Sequence, residues 1–62
     1  MQKRHFEAVA ADIRRAYQQA ESDGERRGCY AVAHNLAETF AAANPLFDRQ
    51  RFLVACGVVA GG

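Results

Sequence analysis

A chain of 62 residues makes one domain at most, and at this size folding removes only about 60% of the unfolded chain's surface from water. Eight basic against seven acidic side chains leave a net charge of +1, so no global field draws a polyanion to it. Half of the residues are apolar, yet no apolar run reaches the ~18 to 20 residues that a bilayer crossing needs.

Much of the apolar half is alanine, which buries little area, so the core is expected to be thin and stability marginal. Chains of this size escape through disulfides, a metal or self-association. Two cysteines on different predicted helices do not form the dense framework of secreted mini-proteins. The stretch 6–13 that follows the basic start is interrupted by Glu7 and Asp12, unlike the core of a signal peptide. The expectation is a cytoplasmic protein with free thiols and no membrane partner.

In chain order, residues 3–21 place Phe6, Val9, Ala10, Ile13, Ala16, Tyr17 and Ala20 at the three-and-four spacing of one helical face. Arg4, Glu7, Arg14, Arg15, Gln18 and Gln19 occupy the other side and read as a solvated surface. Ser22-Asp23-Gly24-Glu25 is a break and a restart, with Ser22 and Glu25 spaced as a capping box and Asp23 as the alternative cap. A second helix is predicted over about residues 25–43, burying Cys29, Val32, Ala33, Leu36, Phe40 and Ala43 on one stripe. Ala31, Ala37, Ala41 and Ala42 keep the rest of its surface small, which lets helices approach from more than one side. Because Glu38 is the only acidic or basic residue in residues 29–47, that segment is expected to be the buried one.

Asn44-Pro45 then ends the second helix, since the proline ring pushes Asn44 out of the α region. Asp48 offers a side-chain oxygen to the amides of a third helix, about residues 48–56, and Phe47 with Phe52 has the spacing of a hydrophobic staple. Gly57 is a natural terminator. Beyond it, residues 58–62 are expected to fray, unless Val58 and Val59 dock.

The segment Asn44-Pro45-x-Phe47-Asp48-Arg49-x-Arg51-Phe52-Leu53-x-Ala55-Cys56-Gly57 resembles the end of short uncharacterised proteins carried by bacteriophages and prophages, many from actinobacterial hosts. Those proteins have a first helix with the look of Phe6-Glu7-Ala8-Val9-Ala10. The resemblance implies a mobile-element origin and an all-helical fold, and it implies no mechanism. Leu46 departs from the polar or charged residue expected between Pro45 and Phe47, which points to an extra apolar contact.

Reactive chemistry has little to stand on. His5, Cys29, His34 and Cys56 are the only His or Cys side chains, and a structural zinc needs four donors converging tetrahedrally. Cys29 and His34, five apart, fall on different sides of a helix. Cys56 near a helix C-terminus is a poor thiolate, because the dipole there disfavours negative charge. So short a chain also has little volume for a concave pocket. No enzyme activity, cofactor or metal is expected.

Two functions survive. Arg49, Gln50 and Arg51 at the start of the third helix could read DNA as recognition helices do, although Asp48 opposes phosphate. Protein binding, including self-association, fits better, because three short helices cannot cover both sides of an alanine-lined second helix. Tyr30, Phe40, Leu46, Val58 and Val59 are the expected interface, aromatic and apolar groups being the usual anchors. The expectation is therefore an all-α single domain over residues 1–62, a pair of antiparallel helices plus a short C-terminal helix. It is expected to act as a non-enzymatic interaction module, a homodimer or the partner of a host or phage protein.

Overall fold

Three helices follow from local start and stop signals in the computed structural model, which describes residues 3–59: α1 (Lys3–Gln19), α2 (Asp23–Ala43) and α3 (Arg49–Ala55). No strand occurs among the described residues, so the all-α, three-helix reading holds. None of the described helices is long and apolar enough to cross a membrane.

Ser22 is the cap of α2. Its backbone is extended (φ −143°, ψ 161°) and its Oγ accepts the Glu25 N–H at 3.1 Å, which satisfies one of the open amides of a helix start. Glu25 answers, but its Oε2 accepts the N–H of Glu21 at 2.8 Å rather than that of Ser22. The box therefore closes one residue further out than the sequence pattern implies. Arg26 pairs with Asp23 at 2.6 Å and also donates to the Ala20 carbonyl at 3.4 Å, so the first turn of α2 clamps the end of α1. There the Ala20 N–H donates to the Tyr17 carbonyl at 3.3 Å, a three-residue closure that tightens the last turn and ends α1 at Gln19.

Each pair of helices is in contact. Phe6 of α1 meets Phe40 near the end of α2, with ring centroids 4.8 Å apart. Further along, Ile13 and Ala16 share a shallow groove with Gly28, Cys29 and Val32. This opposite order of contacts is what a helical hairpin makes. α3 closes over the pair: Asp48 caps it, Oδ1 accepting the Arg51 N–H at 3.1 Å, and the Arg49 Nε meets Glu38 of α2 at 3.0 Å.

The core consists of Ala10, Ala33, Ala37, Phe40, Phe52, Leu53, Cys56 and Val58. Four phenylalanines tie it together. Phe6 and Phe47 lie 4.9 Å apart, and Phe47 and Phe52 each stand 5.5 Å from Phe40 and 5.5 Å from each other. The tilted and edge-on arrangements suit ring quadrupoles. The Phe47–Phe52 contact is the staple expected from their spacing.

Two expectations are corrected, and one that stood open is decided. The buried line of α2 runs through Ala33, Ala37 and Phe40, while Val32 is 51% exposed and Ala43 is exposed. That line is turned toward Ala37 by somewhat more than half of the ~100° step between successive helical residues. On one flank Ile13 and Ala16 of α1 share a groove with Cys29, and on the other Arg49 of α3 pairs with Glu38, so the dry line falls between them. Residues 29–47 are accordingly not a buried block, since Tyr30, Val32, Asn35, Thr39, Pro45 and Leu46 are exposed. Finally, the chain does not fray directly after Gly57: Val58 is only 8% exposed and Val59 packs partly buried against the core. Residues 60–62 lie outside the described residues.

Candidate functional site

The corner between α2 and α3 is built by Asn44. Extended at φ −143° and ψ 106°, it stops α2 as the following proline requires. Its Oδ1 accepts the Leu46 N–H at 3.0 Å and its carbonyl accepts the Phe47 N–H at 3.0 Å, an Asx turn laid over a β-turn. Among the described residues no residue other than glycine has positive φ, so Leu46, third in the turn, does not occupy the left-handed position of a type II turn. Both bonds hold the Leu46 backbone still while its side chain is 91% exposed.

Beside Leu46 lies an open hollow of about 400 Å³. Phe6 and Ala10 of α1, Phe47 of the turn and Phe52 of α3 give it an apolar lining. Lys3, Glu7, Asp48 and Arg51, all exposed, also border it. Two cations and two anions make that border neutral. Lys3 and Glu7 stand 3.8 Å apart, an exposed pair that contributes little to stability. At 91% exposure Leu46 itself makes little apolar contact within the chain. Sequence reading did not anticipate the hollow itself, which needs Phe6 from a distant helix. The signal in the sequence was a leucine where a polar or charged residue was expected between Pro45 and Phe47.

The expected interface residues do not share one surface. Phe40, 9% exposed, and Val58 are consumed by the chain's own core and offer little to a partner. Val59 is partly buried. Tyr30 remains 44% exposed, with its ring 4.2 Å from that of His34. The His34 Nε2 is buried and has no hydrogen-bond partner among the described residues. Tyr30 and Leu46 are thus the two of the five that stay open.

Arg49, Gln50 and Arg51 are all exposed at the start of α3, but they do not form a free basic edge. Arg49 is engaged by Glu38, and the Asp48 carboxylate caps the helix at the point where a phosphate would have to approach. Among the described residues no group of three or more His, Cys, Asp or Glu side chains could hold a metal ion. Both thiols are free, Cys56 fully buried and Cys29 only half-buried, less inward than its stripe position implied. Burial pushes the Cys56 thiol up to about 11, which keeps it protonated at neutral pH.

No protein-family model, curated protein or solved structure matches the chain.

Proposed function

We propose that this chain is a non-enzymatic protein-interaction module that associates with itself, encoded by a phage or prophage and working in the cytoplasm of the host cell. The observation that supports self-association is the uncovered apolar surface: Leu46 at 91%, Val32 at 51% and Tyr30 at 44% exposure, on a molecule whose buried core includes three alanines. Single exposed apolar residues are ordinary on protein surfaces. Here they come with two open apolar depressions, one at the corner beside Leu46 and one between α1 and α2 beside Val32. The resemblance of residues 44–57 to phage-borne proteins supports the origin.

Sedimentation equilibrium across micromolar to millimolar concentrations tests the association. The expected result is a mass that climbs from one chain to two. A single-chain mass throughout, with helical circular dichroism retained, refutes it.

DNA binding is the second reading, supported by the exposure of Gln50 and Arg51. A salt titration of duplex binding separates the two. Binding that weakens with salt and is lost in Arg49→Ala with Arg51→Ala favours DNA, and no binding at low salt ends that reading.

A further inference from the structure

We infer that the self-association proposed above, on which this inference rests, is a two-fold contact in which the Leu46 side chain of each copy enters the Phe6, Ala10, Phe47 and Phe52 hollow of the other. A closed pair of identical chains requires one patch that carries both halves of the contact, because residue i of one copy meets residue j of the other and the reverse. The α2–α3 corner has both halves. Leu46 projects at 91% exposure from the rim of the apolar hollow that it helps to line. Elsewhere, the groove beside Val32 has a depression without a comparable projecting side chain, since Val32 is only half exposed.

Charge selects the occupant. Lys3, Glu7, Asp48 and Arg51 border the hollow with two charges of each sign, so a polyanion or a strongly acidic or basic peptide finds no net field there. A second copy presents the same two signs, and complementary pairing across the rim is what fixes register in such contacts. The conformational cost is small as well, because the Asn44 side chain and carbonyl already hold the Leu46 and Phe47 amides, leaving little backbone freedom to lose on association.

Area bounds the strength. A contact at the small end of the specific range takes about 600 Å² from each partner, against a total surface of 4429 Å² for the chain. A contact of this size is a reversible one.

The test compares Leu46→Asp and Val32→Asp with the unaltered chain by sedimentation equilibrium, with circular dichroism as the control for folding. Both positions are exposed, so both variants keep the fold. Each dimer loses two leucine insertions in Leu46→Asp, which weakens association about a hundredfold or more, whereas Val32→Asp leaves it unchanged. Dimer persisting in Leu46→Asp overturns the contact while leaving self-association standing, as does selective loss in Val32→Asp, which moves the interface to the α1–α2 groove. Masses that grow past two chains overturn the two-fold closure. An unaltered chain that stays single at every concentration removes this inference together with the reading beneath it.

Discussion

The two cysteines differ in what surrounds them, and that difference is measurable. Cys56, with 0% of its surface exposed, sits at the C-terminal cap of α3, where its N–H donates to the Phe52 carbonyl at 2.9 Å. Burial raises its thiol from 9.0 to about 11. Below pH 9 the folded and unfolded chains both keep that proton, and the contribution to stability is fully present. Between about pH 9 and 11 the unfolded chain releases it and the folded chain does not, so stability falls as pH rises through that window. The total is on the order of 3 kcal/mol. Denaturant melts at successive pH values should show this alkaline slope in the native chain and a shallower one in Cys56→Ala. A thiol-reactive dye should label Cys29 promptly and reach Cys56 only as the molecule opens.

At the scale of elements, capping bonds define the helix starts more sharply than apolar periodicity does. Ser22 and Asp48 each accept an N–H three residues on, at 3.1 Å in both cases. Ser22→Ala and Asp48→Ala should each cost about 1 kcal/mol, read as shifts in denaturation midpoint. By contrast, Arg49→Ala should change stability by less, since the Arg49–Glu38 pair is exposed on both sides. At the other end of α3, Gly57 takes φ +73°, and a Cβ there would stand 3.2 Å from the Arg14 Cγ. The terminator role assigned to it from sequence thus has two causes, backbone hand and the closeness of α1. Helix existence, the caps and the staple were legible because each depends on residues within about one turn. The rotation of α2 was not. Alanine on nearly every side of that helix makes its faces equivalent until α1 and α3 take their places, and only then does Ala37 become dry and Val32 wet.

For the molecule as a whole, the phenylalanines carry the fold. Phe40 touches the rings of Phe6, Phe47 and Phe52, so Phe40→Ala should cost about 3 to 5 kcal/mol. In a chain of this size that is most or all of its stability, and thermal unfolding by circular dichroism should show a much lowered or absent transition. The candidate site was less legible than the fold for the same reason of distance. Leu46 stood out as a departure from the polar or charged residue expected between Pro45 and Phe47, but the hollow it helps to line combines Phe6 with Phe47 and Phe52, more than forty positions along the chain, and only packing brings them together. Composition does not separate an aromatic or valine that serves the core from one left for a partner, so Phe40 and Val58 were open to both readings until packing buried them.

The phenylalanine cluster also governs how the molecule comes apart. Its rings are drawn one each from α1, α2, the turn and α3, so no helix can detach without opening the centre that the others share. Partial opening is therefore disfavoured, and backbone amides in the middle of all three helices should exchange with solvent deuterium at a common, globally set rate, as one cooperative unit.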